Sequence, residues 1–164
     1  MTQAADRLLP ARRSPAVLHV AEPPLAYARR PRIVADATVL AATLFGEDEY
    51  PQAVALLRGR ALAAPHLVDY EIANVALNKL RRGRVPKDAV AAALDGFAAL
   101  AIERHAVDPV AVVAVAQRWR LTAYDAAYLW LAEQLVAPLA TFDAALARAA
   151  QDHLTGSAGE GAGA

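Results

Sequence analysis

The feature that most constrains the fold is an alternation of short apolar runs with helical patterns between residues 33 and 153. Strands that alternate with helices predict a parallel sheet covered on both faces, because parallel strands need helical crossovers. We therefore predict a three-layer α/β/α sandwich with a short, mostly parallel central sheet. In such sheets, ligands bind beyond the carboxyl ends of the strands, where several loops meet.

Glycine and proline residues mark most of the predicted element ends, since glycine commonly closes helices and proline interrupts them. The predicted strands cover residues 33–35, 61–64, 101–106 and 138–141. The predicted helices cover residues 37–45, 50–58, 67–82, 86–100, 108–119, 122–136 and 144–153.

Composition divides the chain into three parts. Residues 1–32 are rich in proline and arginine without a sustained period, which predicts a flexible extension. Residues 33–153 carry the periodic patterns and predict one domain, as the length of 164 residues also favours. Residues 154–164 are rich in glycine and alanine and predict a disordered tail.

Composition also limits the kind of protein. The chain has no cysteine, which excludes disulfides, thiolate metal sites and cysteine nucleophiles and fits a reducing cytoplasm. It has no apolar run of transmembrane length or of signal-peptide shape, so we expect a soluble protein without a membrane partner. The net charge is zero, with +4 on residues 1–32 and −3 on residues 33–153, and neither supports nor excludes a nucleic-acid partner.

Four acidic residues are candidate site residues. Asp36 and Asp143 follow predicted strands and Asp125 opens a predicted helix, so each of them alone is explained better as a helix cap. Glu71 lies within a helical pattern at the edge of its apolar face, where a carboxylate is costly unless it is paired or solvated.

The joint placement of these acids favours a shared site. All four can reach one edge of the sheet, where clustered carboxylates repel one another unless a cation is present. Oxygen ligands without cysteine or a suitably spaced histidine indicate a hard ion, Mg²⁺ or Mn²⁺.

The segments around these acids resemble, in order, the acidic motifs of PIN-domain proteins, and most closely those of VapC-type toxins of bacterial toxin–antitoxin systems. The resemblance covers about residues 32–153, and its most specific piece is Tyr124–Glu133. The matching segments are Val34-Ala-Asp36-Ala-Thr38, Tyr70-Glu71-Ile-Ala-Asn74, Leu121-Thr-Ala-Tyr-Asp125-Ala-Ala-Tyr128-Leu-Trp-Leu-Ala-Glu133 and Leu139-Ala-Thr141-Phe-Asp143. Residues 1–32 depart from the pattern, because such toxins usually begin near the first strand.

The resemblance implies a PIN-like fold and a divalent-metal-dependent endoribonuclease, the toxin of a toxin–antitoxin pair, with all four acids as catalytic metal ligands. Such an enzyme hydrolyses RNA phosphodiesters with metal-activated water. The implied partners are an RNA substrate, a cognate antitoxin and a second copy of the chain in a homodimer. We also expect exposed apolar surface on the helices between residues 37 and 58, where such a partner packs.

Several polar residues are candidates for supporting roles. Thr38 and Thr141 can hydrogen-bond the ligating carboxylates or cap helices, and the sequence leaves both interpretations open. Asn74, one turn after Glu71, can position a water or a phosphate, although a polar edge residue is the simpler interpretation.

Basic and aromatic residues give weaker signals. The densest basic cluster can hold RNA phosphates, although cations also favour helix C-termini; it contains Lys79, Arg81, Arg82, Arg84 and Lys87. Tyr124 and Tyr128 can stack on bases, but tyrosines at helical spacing usually line a core. The acidic run at residues 47–49 is interpreted as a solvated helix start.

Two alternative functions remain. A phosphoryl enzyme of the haloacid-dehalogenase or receiver type also has an aspartate at a strand end, but Asp36-Ala-Thr38 lacks the acidic pair that such enzymes need. A non-catalytic PIN-like module could bind RNA or protein with the same fold. The complete set of four acids argues against it, because a retired site has no physical reason to keep four repelling charges.

Overall fold

The computed structural model describes residues 30–160, with side chains up to residue 154. The strands in this range are β1 Arg32–Ala35, β2 Ala61–Pro65, β3 Glu103–His105 and β4 Leu139–Ala140. The helices are α1 Ala37–Phe45, α2 Tyr50–Leu57, α3 Val68–Arg81, α4 Lys87–Ala99, α5 Pro109–Trp119, α6 Ala123–Gln134 and α7 Ala144–Glu160.

The four strands form one sheet in the order β3-β2-β1-β4, and all three pairings are parallel. Strand β1 lies at the centre and pairs with β2 from Arg32 to Val34 and with β4 at Val34 and Ala35. Because the strands are parallel, the residues that follow β1 and β4 meet at one edge of the sheet. This topology places Asp36 and Asp143 at the same edge.

Helices cover both faces of the sheet. Successive residues of β1 point to opposite faces: Ile33 packs with Val39 of α1 and Ala53 of α2, whereas Val34 belongs to the larger cluster that contains Leu129 of α6. Helix α6 contacts β1, β2 and β4 and is flanked by α5 and α7. The structure therefore confirms the predicted α/β/α class.

Helix α1 ends as the sequence predicts, at a glycine. Gly46 has φ +62° and ψ 44°, in the left-handed region, and donates its N–H to the carbonyl of Ala42. A side chain at this position would be strained, which is why glycine closes helices so often.

Most predicted ends lie within two residues of the observed ones, and the differences at β1, β3 and α7 bear most on the predicted parts of the chain. Strand β3 is only three residues long and β1 begins at Arg32, one residue inside the predicted extension. Helix α7 continues to Glu160, so residues 154–160 are helical where a disordered tail was predicted. Once Leu146 and Ala150 dock the helix on the core, each further residue adds a backbone hydrogen bond, and this offsets the weak helix propensity of glycine.

Residues 1–29 and 161–164 lie outside the described residues, so the predicted extension and the end of the predicted tail stay predictions. No helix in the described range is long and apolar enough to cross a membrane.

Candidate active site

The four predicted carboxylates line one cleft at the edge of the sheet where β1 and β4 end. Asp36 directly follows β1, and Asp143 comes three residues after β4. Glu71 lies in the first turn of α3 rather than in its middle, and Asp125 lies in the first turn of α6. Two strand ends and two helix starts thus bring together acids that are up to 107 positions apart in the sequence.

Asp36 is the most buried of these acids, with 4% of its surface exposed. Thr38 Oγ1 and Thr141 Oγ1 both donate hydrogen bonds to its Oδ2, at 2.6 and 2.8 Å. The side chain does not cap α1, although Asp36 occupies the cap position. Burial raises the pKa of Asp36, and the hydrogen bonds from the two threonines oppose this shift.

Glu71 is half-buried and is held by a residue on another helix. Tyr128, which is fully buried, donates its hydroxyl to Glu71 Oε2 at 2.5 Å. Burial raises the pKa of Glu71 to about 7, and the negative charges of Asp36 and Asp125 add to this shift, while the bond from Tyr128 opposes it. The pKa of Tyr128 is itself raised, by burial and by the adjacent carboxylate.

The other two acids do serve as local helix supports. Thr122 caps α6 by accepting from the Asp125 N–H, and its hydroxyl donates to Asp125 Oδ2 at 2.7 Å. Asp143 Oδ1 accepts from the N–H groups of Ala145 and Leu146, both at 2.8 Å, and so caps α7. The capping interpretation is therefore correct for Asp143, whereas the cap of α6 is Thr122 and Asp125 only accepts its hydroxyl. Neither arrangement excludes a second role, since it uses one oxygen of each carboxylate.

The cleft contains the carboxylate oxygens that a hard cation prefers, but these oxygens do not surround a common point. Within residues 30–160, no three His, Asp or Glu side chains are grouped closely enough to hold an ion as they stand. The hydrogen bonds of Glu71, Asp125 and Asp143 in this range each use one carboxylate oxygen, which leaves the other oxygen for a ligand. Asp36 and Glu71 keep raised pKa values next to further negative charges, an arrangement that a divalent cation would stabilise.

A family model for the PIN domain matches residues 33–152. The chain belongs to the PIN-domain family. This match spans the sheet except its first residue, all four carboxylates and about half of α7, and it confirms the resemblance that the motifs indicated.

Named relatives are similar to this PIN domain over most of their length. The chain is 33% identical to Ribonuclease VapC3 of Pyrobaculum aerophilum over 121 residues, which is 71% of this chain and 92% of the relative. It is 35% identical to VapC ribonuclease Mb0985 of Mycobacterium bovis and to Ribonuclease VapC9 of Mycobacterium tuberculosis, over 73% of this chain and 91% of each relative. The crystal structure of PAE2754 from Pyrobaculum aerophilum superposes with a TM-score of 0.59 at 26% identity, covering 79% of this chain and 91% of that one.

Other polar residues of this PIN domain also line the cleft. They are Asn74 of α3, one turn after Glu71, and two glutamates before α2, Glu47 and Glu49. Lys79 pairs with Glu47 at 2.5 Å, and its ammonium group lies 5.0 Å from the centre of the Phe45 ring. Much of the charge of Lys79 is therefore already compensated within the protein.

Arg81, Arg82 and Arg84 behave differently from Lys79. All three are exposed at and just beyond the C-terminus of α3, and none has an ion-pair partner among residues 30–160. They do not line the cleft. Their predicted contact with RNA phosphates stays a prediction.

Two parts of the site were not predicted from the sequence. Tyr128 was assigned to the core, which is correct for the ring but overlooks the hydroxyl that holds Glu71. The signal was available, because a buried tyrosine hydroxyl needs a partner and Tyr128 lies one turn after Asp125. Glu47 and Glu49 were interpreted as part of a solvated acidic run. Their contribution to the cleft could not be predicted, because it depends on how distant segments pack and not on spacing in the sequence.

Proposed function

We propose that this PIN domain is a divalent-metal-dependent endoribonuclease and the toxin of a toxin–antitoxin pair. The observation that carries the proposal is the convergence of Asp36, Glu71, Asp125 and Asp143 on one cleft, with raised pKa values at Asp36 and Glu71. The names of the ribonuclease relatives support the activity. The reaction is hydrolysis of an RNA phosphodiester.

The four acids are the proposed metal ligands, and their neighbours hold them in place. When bound, a divalent ion lowers the pKa of water and neutralises charge that develops on the phosphate. Thr38 and Thr141 fix Oδ2 of Asp36, and Tyr128 fixes Oε2 of Glu71. Side chains fixed in this way lose little entropy when a ligand binds, so the site is partly preorganised.

The ion and the partners follow from the same chemistry. PIN nucleases generally depend on a divalent metal, and a site made only of carboxylates favours Mg²⁺ or Mn²⁺ over softer ions. We assign RNA as the substrate, an antitoxin as the protein partner, a homodimer as the assembly and the cytoplasm as the place of action. These assignments rest on the similarity to VapC ribonucleases.

A cleavage assay with single-residue variants tests the proposal. Asp36→Asn and Asp125→Asn keep the size of the side chain but remove a ligand charge, so each should lower Mg²⁺- or Mn²⁺-dependent RNA cleavage by at least ~100-fold. Asp95→Asn changes an exposed acid of α4 that does not line the cleft, and it should cleave like the unaltered chain. Wild-type rates in both site variants, purified in the same way, would exclude the carboxylates from the reaction.

One observation favours the alternative, a non-catalytic module that binds RNA or protein. No three acidic side chains in residues 30–160 form a ready cage for an ion, so metal binding requires side-chain rotations in the cleft. Calorimetric titration with Mn²⁺ separates the two functions. A nuclease must bind Mn²⁺, and Asp36→Asn must weaken that binding. A non-catalytic module would bind RNA equally well with and without the metal.

A further inference from the structure

Three exposed aromatic residues directly precede three of the four carboxylates. Tyr70 comes before Glu71, Tyr124 before Asp125 and Phe142 before Asp143. Their exposed fractions are 78%, 66% and 37%, which is unusual for rings of this size in a domain that buries most of its other large apolar side chains.

Phe142 borders the cleft directly. It is one of the residues that line the cleft, together with Asp143 and Asp36. Its backbone N–H donates to Thr38 Oγ1 at 3.1 Å, and Thr38 in turn donates to Asp36. The segment that carries the ring is thus tied to the most buried acid of the site.

Tyr70 extends the cleft along α3. It lies one helical turn before Asn74, which lines the cleft together with Glu71 and Val75. Residues four apart share a helix face, so the Tyr70 ring continues the cleft-lining face of α3 toward its N-terminus. The neighbouring Asp69 does not lie beside this ring at the cleft, because its carboxylate is bound by Arg104 of the edge strand β3.

Tyr124 has the corresponding place on α6. It lies one turn before Tyr128, whose hydroxyl reaches Glu71 in the cleft, and next to Asp125, which lines the cleft. Tyr128 is buried and Tyr124, on the same face of α6, is exposed. This face therefore leaves the core at Tyr124, beside the cleft.

We propose that Tyr70, Tyr124 and Phe142 are stacking platforms for unpaired bases of single-stranded RNA, whose phosphates then lie at the carboxylate cleft. This inference rests on the proposed function and deepens it by naming the residues that bind the bases of the substrate. Every base has a π-face, so stacking binds single strands with little sequence preference, whereas bases in a duplex are already stacked on one another.

The chemistry of the rim favours bases over a protein partner. Protein anchors need contiguous apolar surface, but each of these rings is flanked in sequence by an acid or a threonine: Asp69 and Glu71, Asp125, and Thr141 and Asp143. A nucleotide combines a flat apolar base with a phosphate that a cation-loaded carboxylate site attracts. Isolated rings next to carboxylates therefore suit a nucleotide, with the base on a ring and the phosphate at the carboxylates.

Binding of a fluorescent probe tests the proposal without requiring cleavage. The probe is a single-stranded RNA of about ten nucleotides that contains 2-aminopurine, with a duplex of the same sequence as comparison. Tyr70→Ala and Tyr124→Ala should each weaken single-strand binding roughly tenfold, by an equal factor at low and high salt, because stacking releases no counterions. Tyr70→Phe and Tyr124→Phe should bind like the unaltered chain, since they keep the ring.

Val110→Ala is the matched control, because Val110 is 80% exposed on α5 and does not line the cleft. Unchanged affinity for the single strand in both tyrosine-to-alanine variants would overturn the proposal. Tighter binding of the duplex than of the single strand would overturn it as well. So would ring variants that lose binding of a protein partner but still bind RNA like the unaltered chain. Cleavage by the unaltered chain is measured separately. Metal-dependent cleavage with no effect of the ring variants refutes only the platforms, whereas ring-dependent binding without cleavage refutes only the nuclease.

Discussion

Each carboxylate of the site combines hydrogen bonds within the protein with a place in the cleft. Thr122 holds one oxygen of Asp125, α7 uses one oxygen of Asp143, and Tyr128 holds one oxygen of Glu71. A carboxylate has two oxygens and about four lone-pair positions, so one such bond orients the group without using all of its acceptor positions. At this scale, capping a helix and binding a ligand are compatible roles for one residue.

Glu71 should titrate near pH 7 in the metal-free protein. Burial and two negative neighbours raise its pKa to about 7 from an ordinary value of 4.5. A group whose pKa is raised by folding stabilises the protein fully below its unfolded pKa and loses this contribution as pH rises toward its folded pKa. We therefore expect the free energy of unfolding to fall by about 1–3 kcal/mol between pH 4.5 and 8 on account of this residue.

Two variants isolate this titration. Glu71→Gln should remove this part of the pH dependence, and Tyr128→Phe should raise the pKa of Glu71 further, because the hydroxyl that stabilises its charged form is gone. Carboxyl NMR titration gives the pKa values, and urea unfolding at several pH values gives the stability. An ordinary pKa at Glu71 in the unaltered chain would contradict the electrostatic description of the cleft.

At the scale of elements, helix α3 carries polar residues of the cleft at its N-terminal end and exposed arginines at its C-terminal end. Its first turn carries Glu71 and Asn74 follows one turn later, both in the cleft. Its C-terminal end carries Arg81 and is followed by Arg82 and Arg84, which are exposed and favourably placed at the negative end of the helix dipole. If these arginines bind RNA phosphates as predicted, the length of α3 separates those phosphates from the phosphodiester at the cleft.

Arg81→Ala combined with Arg82→Ala should weaken RNA binding and leave metal affinity unchanged. Each phosphate contact that is lost should lower the slope of log K against log salt by about 0.7 for a single strand. Fluorescence titration at several salt concentrations measures this slope. Arg58→Ala combined with Arg148→Ala removes the same charge from exposed positions elsewhere, and an equal loss of slope in that pair would mean that only net charge matters.

At the scale of the whole molecule, the apolar surface expected between residues 37 and 58 is carried by two exposed large side chains, both on α2. Helix α1 buries Val39, Leu40 and three alanines against the sheet and neighbouring helices. Helix α2 leaves Tyr50 and Leu56 exposed, and Tyr50 directly follows Glu49, which lines the cleft. If the protein is a homodimer, this part of α2 is the surface that we expect it to bury.

Leu56→Glu should therefore shift the protein from dimer to monomer. A charge in an apolar interface must lose its water without gaining a partner, which disfavours association by several kcal/mol. Light scattering coupled to size exclusion measures the mass. Val136→Glu, which changes another exposed apolar residue, should leave the mass unchanged, and a monomeric unaltered chain would contradict the predicted dimer.

The sequence by itself determined the fold class and most of the elements. Apolar runs that alternate with helical patterns predicted the parallel sheet, and Gly46 marked the end of α1 to the residue. Such signals are local, because they depend on backbone conformation and on a period of two or 3.6 residues. The same local signals identified Asp36 and Asp143 as residues at strand ends.

Only the tertiary structure decided which groups join the four acids in the cleft and how the site titrates. The bond between Tyr128 and Glu71 joins residues 57 positions apart, and Glu47 and Glu49 reach the cleft through the packing of α1 against α3. The raised pKa of Glu71 requires burial and two charges from other elements. Helix α7 extends through a glycine-containing segment that composition alone marks as disordered. Burial and convergence depend on contacts between distant segments, and no periodic pattern in one sequence encodes them.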